Sequence, residues 1–298
     1  MQIAFIGFGE VGQSLGEELA GASGCTIAAY DLKFSDALSA PSQVIAQSRI
    51  ARCESAIESV AGASMVISAV TAAATIEAAS SAAPAISRDA WYFDLNSASP
   101  PAKAEAARLI NDAGGRYVEA SVMSPINPRR LAAPILLGGP HAASFEPVAR
   151  TVGFSGAAAY SSEYGKTAAA KLCRSVIIKG MEALMLEALL TARHYGVEND
   201  VLTSLEDLIP HPDWRGHANY MISRALLHGV RRAEEMKEAA VTVASAGVDP
   251  WMANATVMRQ SLAGIHRACA GEDTLQAVLD AMRAGRGDSV LDEERAPQ

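Results

Sequence analysis

Six residues near the start of the chain constrain its fold more than any others. Gly7-Phe8-Gly9-Glu10-Val11-Gly12 follows a β-prone apolar run at 2–6 and leads into a helix-forming stretch at 11–20. Its three glycines answer three steric needs. The first permits a tight turn, the second lets the backbone approach a bound group, and the third lets helix and strand pack closely. The helix start then offers unpaired N–H groups to phosphate oxygens. The loop is therefore expected to hold a dinucleotide pyrophosphate with Gly7, Phe8, Gly9, Glu10, Val11 and Gly12, rather than to be a plain turn.

The rest of the first half repeats the strand-then-helix alternation. Further β-prone runs lie at 26–30, 65–70, 91–95, 116–119 and 135–137, with helical stretches between them, the signature of a parallel sheet covered on both faces. From about residue 163 those runs stop, and long 3.6-period segments take over at 165–195, 212–247 and 250–270. The expected fold is α/β: an N-terminal Rossmann doubly wound parallel sheet over residues 1–160, then an all-α domain over 161–298, joined by a long interdomain helix. The tail after Gly285 reads as loosely ordered.

Composition agrees and narrows the partners. The 298 residues are about twice the usual domain size, and 50% are apolar, with alanine dominating; the small side chains are expected to allow close packing in the helical half and around the glycine loop. A net charge of −8 argues against a general binder of nucleic acid or anionic membrane. No basic leader opens the chain and no apolar run approaches 18 residues, so it reads as soluble and cytoplasmic. Cys25, Cys53, Cys173 and Cys269 share no zinc or disulfide spacing.

Several polar residues fall where such a sheet binds ligands. Asp31 ends the second strand, 19 residues after Gly12, where a carboxylate accepts from ribose hydroxyls and repels a 2′-phosphate, favouring NAD. Lys33, able to reach a phosphate, points the other way and leaves NADP open; a strand-end Asp capping its own turn is the structural alternative. Val70, Asn96 and Ser97 follow strands at their carboxyl ends and join the cofactor set. Ser99 before Pro100 reads as a helix N-cap.

In the helical half, Lys171 lies among Ala, Leu and Ile early in the longest helix, with Arg174 and Ser175 about one turn on. A lysine against an apolar wall exchanges protons more readily near neutral pH; a lysine snorkelling to the surface is the structural alternative.

The glycine loop, the Asp94-Leu95-Asn96-Ser97-Ala98-Ser99-Pro100 turn and this lysine together resemble the β-hydroxyacid dehydrogenase family. That family includes 3-hydroxyisobutyrate, tartronate-semialdehyde and 6-phosphogluconate dehydrogenases. The helical half looks most like a subgroup with a phosphogluconate-dehydrogenase-like C-terminal domain. The resemblance implies that Lys171 is the general acid/base, with Ser175 standing where the family has Asn and Arg174 replacing another Asn. It also implies a substrate loop at Ser121, Val122, Met123 and Ser124, here rebuilt from the family's pattern, with Arg174 and Ser121 or Ser124 as a replacement anion clamp. Arg231 and Arg232, beside Glu234 and Glu235, are further positive charges expected to face an acidic substrate.

The function expected is hydride transfer between NAD(P) and a small β-hydroxy acid or sugar acid, with Lys171 exchanging the hydroxyl proton and Ser175 beside it. An imine reductase, and a nucleotide-binding scaffold that has lost catalysis, are the alternatives. His211, Asp213 and His217 do not make a regular metal-ligand spacing, so no metal is expected. Met181, Met185, Met221 and Met236 are read as core fillers, and the alanine-rich helices favour a homodimer.

Overall fold

The structure is a computed structural model that describes residues 1–21, 24–208 and 213–293. It divides into two compact units, Met1–Leu172 and Cys173–Gln298. The division falls within one long helix, twelve residues beyond the change of texture at 160.

The first unit is built on an eight-stranded sheet. Its strands are β1 (Gln2–Ile6), β2 (Thr26–Tyr30), β3 (Ala51–Arg52), β4 (Met65–Ser68), β5 (Trp91–Asp94), β6 (Arg116–Val122), β7 (Ile135–Gly138) and β8 (Ala157–Ser161). The order across the sheet is β3-β2-β1-β4-β5-β6-β7-β8. Neighbouring strands run parallel except β6 and β7, so the sheet is parallel-dominated and reverses direction at its last two strands. Two strands lay outside the sequence reading: β3 is two residues long, and β8 reads as alanine-rich connection. The helices are α1 (Glu10–Gly21), α2 (Ala40–Ala46), α3 (Ala56–Val60), α4 (Thr75–Ala82), α5 (Pro100–Asp112), α6 (Ala142–Val152) and the start of α7 (Lys166–Tyr195).

Alternation along each strand assigns its side chains to opposite faces. Ile3 and Phe5 of β1, Met65 and Ile67 of β4 and Trp91 and Phe93 of β5 enter one core; Ala4 and Ile6, Val66 and Tyr92 enter the other. The two cores differ in kind. The first is aromatic, with Phe5, Phe8, Phe34, Phe93, Phe145 and Phe154. The second is where much of the alanine goes: Ala56, Ala78, Ala79, Ala82, Ala106 and Ala107 bring α3, α4 and α5 against the sheet. The alanine excess therefore serves helix-on-sheet packing in the first unit.

The second unit contains the rest of α7, α8 (Glu198–Leu208), α9 (Trp214–Ser245), α10 (Trp251–Ile265) and α11 (Leu275–Glu293). Leu186, Leu189 and Leu190 of α7 share a core with Trp214, Met221, Ile222 and Leu226 of α9 and Leu275, Val278 and Leu279 of α11. Helix α11 runs past Gly285 to Glu293. Met221 and Met236 fill the core as expected, whereas Met181 is 41% exposed, on the same side of α7 as the exposed Ile177 and Leu184.

Candidate functional site

The chain leaves β1 for β2 and β3 on one side of the sheet, then returns to place β4, β5 and β6 on the other. The loops after β1 and β4 consequently part at this switch point, where open α/β sheets bind ligands. A cavity of about 320 Å³ lies there, lined by Gly7, Gly9, Tyr30, Asp31, Lys33 and Val70 among others.

The glycine loop divides its labour as the steric argument requires. Gly7 has φ +91°, and a Cβ there would lie 2.4 Å from the Ala69 carbonyl oxygen; a Cβ on Gly12 would lie 2.4 Å from the Gly7 carbonyl oxygen. Both positions are filled by the fold itself. A Cβ on Gly9 would meet nothing within 4 Å, so the space above Gly9 is open to an incoming group. Helix α1 begins at Glu10, and its first amides form the positive end of the helix dipole. Open space and convergent donors fit a pyrophosphate. Glu10 is exposed and Val11 half-buried.

Asp31 caps its own turn and lines the cavity. One carboxylate oxygen accepts from the Phe8 amide at 2.7 Å and the other from the Lys33 amide at 2.8 Å, fixing the glycine loop and capping the turn after β2. Asp31 also lines the cavity, as does Lys33. Asn96 is 3% exposed and works as a strut. Its Oδ1 accepts from the Val70 amide at 2.7 Å and its Nδ2 donates to Ser68 Oγ at 2.9 Å, so it reaches the cavity through the loop it holds.

Beside it, Ser97 is half-buried and receives a hydrogen bond from Lys171 Nζ at 2.7 Å. The lysine, five residues into α7, is thus turned toward the carboxyl end of β5. Sequence reading did not foresee what holds it there. Glu119 of β6, fully buried, accepts from Gly165 N at 2.5 Å, Thr167 Oγ1 at 2.6 Å and Ala168 N at 2.7 Å, capping α7. Buried Asp94 likewise accepts from Lys103 Nζ, Tyr117 OH and the Asn96 amide. The signal for both was a carboxylate inside an apolar run.

The segment expected to hold substrate is only partly open. Ser121 is 2% exposed and its hydroxyl donates to Thr167 Oγ1 at 3.3 Å, so that hydroxyl is turned toward α7. Val122, Met123 and Ser124 are half-buried, and Ser124 Oγ donates to its neighbour's carbonyl. Along α7, Arg174 is exposed and Ser175 half-buried, both in the second unit. Arg231 pairs with Glu235, which also pairs with buried Lys179, and buried Arg232 pairs with Glu182. Internal pairing of Arg232 within the helical unit corrects the expectation that it faces a substrate. Asp213 caps α9 by accepting from the Gly216 amide at 2.7 Å, while His211 lies outside the described residues. Among the described residues, no cluster of three or more His, Cys, Asp or Glu side chains is able to hold a metal ion, and no helix is long and apolar enough to cross a membrane.

Comparison with known proteins agrees with this geometry. Residues 2–160 match the NAD binding domain of 6-phosphogluconate dehydrogenase, and residues 192–262 match a domain of unknown function, DUF1932. A conserved hypothetical protein from Sinorhizobium meliloti is 35% identical, with 95% of this chain and 96% of that one covered and a TM-score of 0.74. MTH1747, a conserved protein of unknown function described as structurally similar to 3-hydroxyacid dehydrogenases, is 27% identical over 91% of this chain and 100% of its own, with a TM-score of 0.68. Mycobacterium tuberculosis 3-hydroxyisobutyrate dehydrogenase shares the fold at 19% identity, 95% and 99% coverage and a TM-score of 0.69. No curated protein sequence matches. With its glycine loop, its switch-point cavity and more than half its length matched, the chain belongs to the family built on the NAD binding domain of 6-phosphogluconate dehydrogenase, followed by a helical domain.

Proposed function

We propose that the protein is an NAD(P)-dependent oxidoreductase acting on the CH–OH group of a small β-hydroxy acid or sugar acid, with Lys171 as general acid/base. The observation that carries this reading is the hydrogen bond from Lys171 Nζ to Ser97 Oγ, which holds the lysine's amino group beside the loop that follows β5. The nicotinamide, when bound, supplies or accepts a hydride. The chain's own residues then have separate tasks. Gly9 and the first amides of α1 receive the pyrophosphate, and Asp31 takes the ribose hydroxyls and disfavours a 2′-phosphate, giving a preference for NAD. Lys171 takes the hydroxyl proton during oxidation and returns it to the oxygen during reduction, with Ser97 and Ser175 orienting it.

Arg174, three residues beyond Lys171 on α7, is the cation proposed to bind the substrate's acidic end, and Ser124 and the backbone at Val122 and Met123 are proposed to hold its polar groups. Ser121 acts from behind, through Thr167. The exposed apolar stripe of Ile177, Met181 and Leu184 on α7 supports a homodimer.

The test is an NAD(P)H-coupled screen of β-hydroxy acids, sugar acids and cyclic imines with both cofactors. Turnover of a hydroxy acid is expected, falling about 10²- to 10⁴-fold in Lys171→Ala while NADH affinity is kept. Undiminished turnover in Lys171→Ala would overturn the mechanism, and turnover of imines alone would replace the substrate class.

A further inference from the structure

We propose that Glu119 is the positioning residue for Lys171, setting the direction in which α7 presents that lysine. This rests on the reading of Lys171 as the acid/base group. Glu119 is wholly buried midway along β6, and a buried carboxylate is tolerated only where donors surround it. Its donors all come from the entry to α7: Gly165 N, Thr167 Oγ1 and Ala168 N. Three donors spread over four residues fix the start and rotation of the helix together, which a single capping contact does not.

The helical repeat carries that constraint to the lysine. Thr167 and Lys171 are four residues apart and share a face of α7. Glu119 therefore holds the first turn of that face to β6, and Ser97, after β5, meets the second turn of the same face at 2.7 Å. The sheet makes room for this arrangement. A Cβ on Gly138, the β7 residue paired with Glu119, would lie 3.0 Å from Thr167 Cγ2 and 3.3 Å from Glu119 Oε2. Glu119 does not line the cavity, and its bonds to α7 fall on the turn before Lys171, so its influence passes through the helix.

The test compares Glu119→Gln, Ser97→Ala and the double variant. Glutamine keeps the shape and one acceptor but presents N–H groups to at least one of the three donors. Turnover, NADH affinity, melting temperature and the pH profile of Lys171 acetylation by acetic anhydride, read by mass spectrometry, are measured for each. In Glu119→Gln, kcat is expected to fall about 10- to 100-fold with KM and NADH affinity nearly unchanged, as misplacement of a catalytic group predicts. The Lys171 labelling profile should move toward that of Ser97→Ala. The double variant should be no more than about twofold slower than Ser97→Ala, because both changes disturb one geometry. An unchanged labelling profile in Glu119→Gln, or losses that multiply in the double variant, would overturn the proposal. If the wild type turns over nothing in the screen, the labelling comparison alone decides the role of Glu119, and only the acid/base reading falls. Should Glu119→Gln fail to fold, Thr167→Val removes one of the three donors and is judged by the same measurements.

Discussion

The two units bury carboxylates in different company. In the sheet unit, Asp94 and Glu119 are 0% exposed and satisfied by mixed donors: backbone amides, hydroxyls and, for Asp94, one ammonium. In the helical unit, buried Glu182 of α7 meets Arg232 of α9 and accepts as well from Gln260 Nε2, while Glu235 of α9 meets Lys179 of α7 and Arg231 of its own helix, so ionic pairing dominates. Short directional bonds to backbone fix where a neighbouring loop or helix begins. An ion pair between long side chains fixes only that two helices stay close. The first arrangement stands beside Lys171 and the Val70 loop; the second belongs to the interior of a bundle.

Matched replacements break this comparison most forcefully. Asp94→Leu strands Lys103, and Glu182→Leu strands Arg232, so each is expected to cost about 3–5 kcal/mol in urea unfolding. Their partners' replacement should separate them. Glu182→Leu with Arg232→Met exchanges a buried pair for apolar packing, and Gln260 Nε2, which also donates to Glu182, keeps the Lys179 carbonyl as an acceptor, so the double variant is expected to return to within about 1 kcal/mol of wild type. Asp94→Leu with Lys103→Leu still leaves the Tyr117 hydroxyl and the Asn96 amide without their acceptor, a remaining loss of about 2 kcal/mol or more. Equal recovery in the two doubles would show that the units do not differ in this way.

A smaller effect sharpens the contrast at glycine. In the helical unit, a Cβ on Gly229 would lie 2.4 Å from the Gln260 carbonyl oxygen, where α9 and α10 cross; in the sheet unit, a Cβ on Gly9 enters open space. Gly229→Ala should therefore lose about 1–3 kcal/mol of stability and leave NADH binding alone. Gly9→Ala should melt with the wild type yet bind NADH about tenfold more weakly, roughly 1.4 kcal/mol. Calorimetry and a fluorescence titration on both variants decide it; weaker binding in Gly229→Ala or lower melting in Gly9→Ala contradicts the assignment.

Much of this was legible in sequence because its causes are local. The glycine loop, the strand alternation from 2 to 137 and the start of α7 near Gly165 each follow from spacing and residue type within a few positions. The antiparallel pairing of β6 with β7 was not, because direction depends on how a connection returns rather than on either strand. Strand β8, Ala-Ala-Ala-Tyr-Ser, lacks the buried apolar run of its neighbours because it lies at the sheet edge. Glu119 offered half a signal. A carboxylate inside a strand covered on both faces must have donors. The donors lie 46 to 49 residues downstream, and no local pattern names them.

The smallest expected effect separates the two ends of the sheet itself. At the amino ends of β5 and β6, opposite the glycine loop, His141 packs edge-on to Trp91, and the Arg116 guanidinium lies over the same ring. Burial first, and the Arg116 charge second, hold the His141 pKa below its ordinary value of about 6.5. As pH falls past that value the unfolded chain binds a proton that the folded chain refuses, so this residue's contribution to stability is whole above about pH 6.5 and is lost as pH drops through the folded-state pKa. The difference in urea midpoint between wild type and His141→Gln should therefore shrink or reverse from about pH 7.5 to about pH 5.5. NADH affinity, set at the carboxyl ends, should respond identically to pH in the two proteins. A midpoint difference that stays constant would show that His141 is not held neutral, and an affinity difference would show that the two ends of the sheet are coupled.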